Sequence, residues 1–314
     1  MMRIPKQLVR KGMYIEAVEC PDLEFSRRRF LLQSDDVLRA IVESSATDVL
    51  VNRVKSVINL DSLAKFELAG KPQTSSQSKV KDEAQTSQKI AKTSRKISEE
   101  AVTLQGELDE VIDGKLNLGR LRTTSQQIED SLEASPNVFL TVTRLKSKDK
   151  GTYVHSLSVS ALMSRLARML DMDAGMVEEL GISGLLHDVG KMRIPNAILN
   201  KDGPLTSAEQ QIIRSHPEQG YQLLNQHERI SPIMLDVCRL HHEVLDGSGY
   251  PLGLKGDQIS LQVRICTVCD VFDALTSVRP YKRAWTSEEA LDWMYEKGHL
   301  FDRKLVLRLG TIFN

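Results

Sequence analysis

The sequence has little cysteine, no excess of either charge and no long apolar run. Only four of its 314 residues are cysteine, too few for a disulfide framework in a chain of this length, and this favours a reducing environment. Lys and Arg together number 42, as do Asp and Glu. This balance argues against binding of DNA through bulk charge, although it permits a local basic pocket for a small anion.

Membrane insertion and secretion are also disfavoured. No apolar segment approaches the roughly 20 residues that a membrane-spanning helix requires. The first residues, Met1 to Gln7, lack the apolar stretch of a secretory signal peptide. We therefore expect a cytoplasmic protein without a membrane segment, and the length allows about two domains.

Residues 1–66 are predicted to form a small α+β domain with a regulatory or assembly role. Phe30 to Gln33 has the pattern of a strand. Ser34 to Asp36 are typical helix starters and precede apolar residues at helical spacing. Asp48 to Asn52 contains three consecutive apolar residues, which is typical of a short buried strand.

The rest of the chain is predicted to be helical after a polar linker. Residues 67–97 are rich in Ser, Thr, Gln and Lys and nearly free of large apolar side chains, which predicts a flexible linker, with a helical end as an alternative for its last residues. Residues 98–134 are predicted to form a helical connector, and residues 135–314 an all-α domain. The clearest helix runs from Tyr153 to Leu170, where apolar residues recur every three or four positions.

Five of the seven histidines belong to a pattern suited to metal binding. His187-Asp188 and His241-His242 are adjacent pairs, and the second pair opens a loop rich in glycine. A bridging carboxylate between two imidazole-bound metals is what a hydrolytic dinuclear site requires. A single histidine on an apolar helix is more often a hydrogen-bonded core residue. The joint occurrence of two pairs, two further histidines and an aspartate favours the metal site.

Further polar residues accompany this pattern. Asp270 is embedded in an apolar string, where a carboxylate is costly to bury unless a cation accompanies it. Lys191 follows Asp188 by three residues, so on a helix it shares that face and is placed to meet a phosphate oxygen. Asp273 either orients a metal ligand or lies on the helix surface.

These motifs resemble the HD-GYP phosphodiesterases, over about residues 135–314. The matching strings are His187-Asp188-Val189-Gly190-Lys191, His216-Pro217, His241-His242-Glu243, Asp246-Gly247-Ser248-Gly249-Tyr250-Pro251, Asp270 to Thr276 and Arg279-Pro280-Tyr281-Lys282. Residues 1–66 resemble, more weakly, the small domain of unknown function that often precedes HD-GYP domains.

The resemblance implies an all-helical HD-superfamily fold and hydrolysis of a cyclic dinucleotide, either cyclic di-GMP or 3′,3′-cyclic GMP-AMP. It also implies two or three metal ions, often iron or manganese. The implied ligands, with Asp188 bridging, are His155, His187, Asp188, His216, His241, His242 and Asp270. The implied substrate contacts are Lys191, Tyr250, Arg279 and Lys282.

One position departs from the family pattern. Members with three metals carry a glutamate one helical turn before the first histidine ligand. Gly151 stands there in this chain, and Asp149 is out of register by two residues. We therefore expect two divalent ions, either iron or manganese.

The expected reaction is attack of a metal-bridging hydroxide on phosphorus, which gives a linear dinucleotide. Asp188 and Lys191 are the predicted catalytic residues, and Lys191 would stabilise charge on the phosphate oxygens. Tyr250 has three interpretations: it hydrogen-bonds phosphate, packs against a base or only packs the loop. Arg279 and Lys282 either grip phosphate or guanine or form a solvated basic loop.

Two alternative functions stay open. One is an HD phosphohydrolase that acts on other nucleotides, although the Gly-Tyr-Pro loop argues against it. The other is a catalytically inactive cyclic dinucleotide receptor, although the complete ligand set argues against it. A second copy of the chain or a signalling protein is a candidate partner of the first domain.

Overall fold

The computed structural model describes residues 2–19, 30–32, 34–44, 48–52, 55–58, 60, 76–144, 151–201, 203–278 and 284–313. The chain divides into two compact units, residues 1–80 and 81–314. Among the described residues, the first contains a small sheet with an α-helix between its third and fourth strands, and the second is helical. The predicted fold class, a helical domain preceded by a small α+β domain, is confirmed.

The N-terminal unit is built on an antiparallel sheet of four strands. The strands are β1 (Met2–Pro5), β2 (Tyr14–Glu19), β3 (Phe30–Leu31) and β4 (Asp48–Asn52), in the order β1-β4-β2-β3. Helix α1 (Asp35–Glu43) connects β3 to β4. Ile4 of β1, Ile15 of β2 and Val49 of β4 are buried in one apolar cluster. Successive residues of a strand face opposite sides of a sheet, so every second residue of a strand can face this cluster.

The helical unit follows from α2 onward. Its helices are α2 (Ser76–Ile112), α3 (Leu118–Ala134), α4 (Pro136–Thr143), α5 (Gly151–Met169), α6 (Ala174–Leu186), α7 (Asn196–Leu199), α8 (Ser207–Arg214), α9 (His216–Leu224), α10 (Pro232–Leu240), α11 (Leu261–Thr276), α12 (Ser287–Glu296) and α13 (Arg303–Gly310). Among the described residues, no helix is both long enough and apolar enough to cross a bilayer.

Helices α5 and α6 form the centre of this unit. Leu157, Leu162 and Leu185 are fully buried in its single apolar core. The two helices approach closely because α6 has a glycine at the contact. A Cβ atom on Gly184 would lie 2.6 Å from the Cα atom of Ser160, closer than real side chains allow. This contact holds the C-terminal end of α6 against the middle of α5.

Within the segment predicted to be a linker, the described residues are helical from Ser76 onward, so the helix considered for the end of this segment begins early in it. Ile97, Ala101 and Leu104 of α2 are buried in the core of the helical unit. Once these residues fix one end of the helix, each further residue adds a hydrogen bond at little cost. No proline or glycine interrupts the sequence between Ser76 and Gly106, so the helix continues through polar residues. The predicted domain boundaries themselves stay predictions.

Candidate metal centre

Helix ends bring the predicted ligands together. His187 follows the last residue of α6, His216 begins α9, and His241 follows the last residue of α10. His155 lies in the first half of α5 and Asp270 lies in α11. A side chain at a helix end projects beyond the packed turns, so several helices contribute to one cluster.

The described residues form two candidate metal groups. The first contains His155, His187 and Asp188, and the second contains His216, His241 and His242. Within each group, the possible ligand atoms lie within 4.8 Å of one another. All seven residues that the resemblance implies as ligands lie in or next to these groups, since Asp270 contacts both His155 and His242.

Asp188 lies between the two groups. Its Oδ1 atom is 3.1 Å from His216 Nε2 and 3.7 Å from His241 Nε2. Its Oδ2 atom is 3.4 Å from His187 Nε2 and 3.6 Å from His155 Nε2. One carboxylate oxygen therefore faces each group.

Asp270 also lies close to a histidine of each group. Its Oδ1 atom lies 3.0 Å from His155 Nε2, and its Oδ2 atom lies 3.9 Å from His242 Nδ1. The carboxylate is 7% exposed, so it is largely withdrawn from water. A buried carboxylate of this kind needs cationic partners.

Backbone carbonyls fix the orientation of three imidazoles. The Nδ1 atom of His187 donates to the Gly184 carbonyl at 2.8 Å, and that of His216 to the Ile213 carbonyl at 2.7 Å. His241 Nδ1 donates to the Cys238 carbonyl at 2.9 Å. Because a carbonyl oxygen only accepts, the proton of each neutral ring is on Nδ1 and the Nε2 lone pair is free.

The free lone pairs fit a metal ion. His216 Nε2 and His241 Nε2 lie 3.2 Å apart, and both rings already use their Nδ1 protons elsewhere. Two facing lone pairs repel one another unless a cation lies near both. Two further buried atoms, His187 Nε2 and Asp188 Oδ1, have no hydrogen-bond partner among the described residues. Imidazole and carboxylate donors without protons or partners suit a divalent transition metal.

The pKa values of the cluster agree with this interpretation. Burial, together with the neighbouring imidazoles, lowers the pKa of His241 well below its usual value. Burial also lowers the pKa of His242, to about 4. Burial by itself raises the pKa of Asp188, but Lys191 and the adjacent histidines hold it well below its usual range. His241 and His242 are thus neutral and Asp188 is ionised, which are the forms that bind metals.

Two further residues make hydrogen bonds to members of this cluster. Asp273 is buried and its Oδ2 atom accepts a hydrogen bond from His155 Nδ1 at 2.6 Å, which leaves Nε2 of that ring facing Asp188 and Asp270. Of the two roles considered for Asp273, the structure thus favours orientation of a ligand. Lys191 lies in the short 3-10 helix Val189–Arg193, and its Nζ atom is 2.5 Å from Asp188 Oδ2.

The loop after His242 is held by a buried glutamate that the sequence analysis quoted without assigning it a role. Glu243 Oε1 accepts hydrogen bonds from the backbone N–H groups of Leu252, at 2.6 Å, and Gly253, at 3.1 Å. Its Oε2 atom accepts from Leu254 N–H at 3.0 Å. The only sequence signal for this role is an acid between the histidine pair and a glycine-rich loop.

Replacing Glu243 by glutamine should loosen this loop. The new amide NH₂ would point at one of three N–H groups, and a buried donor that faces a donor costs about 1–3 kcal/mol. We expect the free energy of unfolding in urea to fall by about this amount. Glu228→Gln, at an exposed position, is the control and should change it by less than about 0.5 kcal/mol. Equal stability of the two variants would contradict the role of Glu243.

Of the four residues predicted to contact substrate, two lie at the cluster. Tyr250 stacks on His242 with ring centroids 4.7 Å apart, and Lys191 contacts Asp188. Arg279 and Lys282 lie outside the described residues. Arg214, which the sequence analysis did not single out, has its guanidinium carbon 4.4 Å from the centroid of the Tyr250 ring.

Comparisons with known proteins match both units. Residues 127–305 match the family model described as HD domain, and residues 1–149 match a domain of unknown function, DUF3391. A cyclic di-GMP phosphodiesterase of Pseudomonas aeruginosa is 36% identical over 307 residues, which is 96% of this chain and 73% of the relative. A 3′3′-cGAMP-specific phosphodiesterase of Vibrio cholerae is 35% identical over 188 residues, which is 59% of this chain and 34% of that relative.

A solved structure shares the fold. An HDG"Y"P protein from Bdellovibrio bacteriovorus has a TM-score of 0.55 over 99% of this chain and 98% of its own, at 14% identity. Together, these matches confirm the predicted resemblance of the helical unit and of the N-terminal region.

Proposed function

The chain belongs to the HD-domain family, and on this basis we propose that it is a metal-dependent phosphodiesterase that hydrolyses cyclic di-GMP or 3′,3′-cyclic GMP-AMP. The observation that carries the proposal is the position of Asp188. Each of its two oxygens faces a separate group of imidazoles, and backbone carbonyls orient the Nε2 lone pairs of His187, His216 and His241 toward this cluster. This arrangement suits one carboxylate shared by two divalent ions.

The seven cluster residues form two proposed metal positions, which share Asp188. One set is His155, His187, Asp188 and Asp270, and the other is Asp188, His216, His241 and His242. When bound, divalent ions supply Lewis-acid chemistry, which neutralises phosphate charge and activates water at neutral pH. Gly151 offers no side chain for a third ion. Imidazole and carboxylate ligands accept iron and manganese, the two metals proposed here.

The other residues position and stabilise the phosphate. The Lys191 ammonium group lies next to Asp188, so it can stabilise charge on a phosphoryl oxygen at the same place. Burial raises the pKa of Tyr250, so its hydroxyl stays protonated and can donate a hydrogen bond to phosphate. Five of the seven cluster residues are buried, which leaves little bulk water around the reacting group.

Residues 1–66 are proposed to regulate or assemble the catalytic unit. Support comes from their separate apolar core and from the position of both candidate metal groups, which lie within residues 155–242 among the described parts of the chain. The proposed partners are a second copy of the chain or a signalling protein.

A combined metal and turnover measurement tests the proposal. We expect two iron or manganese ions per chain by mass spectrometry, and conversion of cyclic di-GMP, 3′,3′-cyclic GMP-AMP or both to a linear dinucleotide. A chelator should abolish hydrolysis, and added Mn²⁺ or Fe²⁺ should restore it, because the nucleophile depends on the metal.

Two other outcomes would contradict the proposal. If the metal-loaded protein bound cyclic dinucleotides without cutting them, it would be a receptor. Hydrolysis confined to mononucleotides or alarmones would indicate a different HD phosphohydrolase. A panel that includes all of these nucleotides separates the three cases in one experiment.

A further inference from the structure

The Tyr250 ring packs against two side chains. His242 stacks on it with an angle of 24° between the planes, and the Arg214 guanidinium carbon lies over the ring, 4.4 Å from its centroid. Tyr250 therefore contacts both a proposed metal ligand and an arginine.

These contacts bear on the role of Tyr250. Packing against His242 and Arg214 occupies ring surface that stacking on a nucleotide base would need, so the contacts argue against that one of the three interpretations. The Tyr250 hydroxyl is a hydrogen-bond donor from which a phosphate oxygen can accept.

Arg214 differs from a similar arginine in the same unit. Arg239 lies over the Tyr221 ring at 4.5 Å, and its guanidinium also pairs with Glu218 at 2.8 Å. No carboxylate lies within 4.0 Å of the Arg214 guanidinium among the described residues, and its side chain is exposed. Its N–H donors are therefore available to an anion beside the metal centre.

We propose that Arg214 binds the phosphodiester of the cyclic dinucleotide that is not being cut. This inference rests on the proposed function. The substrate ring carries two negative phosphates, and Asp188 with Lys191 marks the position of the one that reacts. Arg214 supplies a positive charge over the ring of Tyr250, which stacks on His242, and a guanidinium can hold two phosphate oxygens at once.

The test compares a substrate with two phosphates and one with a single phosphate. For Arg214→Gln, we expect kcat/KM on cyclic di-GMP to fall about 10- to 100-fold, mainly through KM, since a hydrogen bond to a charged group contributes about 1.5–3 kcal/mol. Hydrolysis of bis(p-nitrophenyl) phosphate, which has one phosphodiester, should change by less than about twofold. The Kd of the hydrolysis-resistant bis(phosphorothioate) analogue of cyclic di-GMP should rise by the same factor as KM.

Arg239→Gln is the matched control, because Arg239 also lies over a tyrosine ring and also precedes a histidine ligand by two residues. It should leave the ratio of cyclic di-GMP hydrolysis to bis(p-nitrophenyl) phosphate hydrolysis unchanged. Equal losses on both substrates for Arg214→Gln would mean that Arg214 acts only through Tyr250 or the fold, and this would overturn the inference. Unchanged KM and Kd would also overturn it. If the unmodified protein bound the analogue but did not hydrolyse cyclic di-GMP, the proposed function would fail, and the Kd ratio would still decide the role of Arg214.

Discussion

Asp188→Asn should lower phosphodiesterase activity and metal content together. The variant keeps one oxygen, but it loses the negative charge that faces both groups of imidazoles, at 3.1 Å from His216 Nε2 and 3.4 Å from His187 Nε2. We expect turnover of cyclic di-GMP to fall by about 10²–10³-fold, which is the typical cost of losing one electrostatic stabiliser. Metal content, measured by mass spectrometry, should fall from two ions per chain to one or none.

The matched control is Asp236→Asn, in α10. This carboxylate is exposed and belongs to the same helix that positions His241, but it is not among the residues of the candidate metal groups. It should leave metal content unchanged and turnover within about twofold. If Asp188→Asn retained two ions and substantial turnover, the assignment of the centre would be wrong.

Gly190→Ala should disturb the centre through the backbone. A Cβ atom at this position would lie 1.9 Å from the His216 carbonyl oxygen and 2.5 Å from the Gly220 nitrogen. Both contacts are too short to exist, and both partners are backbone atoms of α9, so the start of α9 must move away. Overpacking of this kind costs about 1–3 kcal/mol. We expect the free energy of unfolding to fall by at least this amount.

His216 moves with the start of α9, so the same substitution should impair the second metal group. A displacement of about 1 Å at a reacting site can cost about 10²-fold in rate, and we expect a loss of this size in kcat. Gly106→Ala is the control. That glycine lies in α2 with no atom within 4 Å of its built Cβ position, so alanine should raise the free energy of unfolding by about 0.5–1 kcal/mol. If Gly190→Ala had the same stability and kcat as the unmodified protein, the predicted displacement of α9 would be wrong.

Much of the centre is visible in the sequence because its ligands occur as adjacent pairs at helix ends. His187-Asp188 and His241-His242 each combine a short motif with a break in helical periodicity. Long-range partners leave no such signal. Asp273 contacts His155 across 118 positions, and Arg214 contacts Tyr250 only because α8 lies beside the loop. Neither spacing nor composition specifies these contacts.

The helical extent of α2 also exceeds what the sequence predicts. Composition shows that residues 67–97 contain few large apolar side chains. Whether such a segment is helical depends on its neighbour, because the packed residues from Ile97 onward supply the nucleus from which the helix extends. A composition-based prediction treats the segment in isolation and misses this effect.

The carbonyl contacts of His187, His216 and His241 have an evolutionary consequence. Each acceptor is a main-chain oxygen three residues earlier, on Gly184, Ile213 and Cys238 respectively. A main-chain oxygen is present whatever side chain its residue carries, so mutation at these three positions does not delete it. The tautomer of the ligands can therefore persist while the surrounding sequences diverge, and relatives need to share little more than the histidines and the helix ends that carry them.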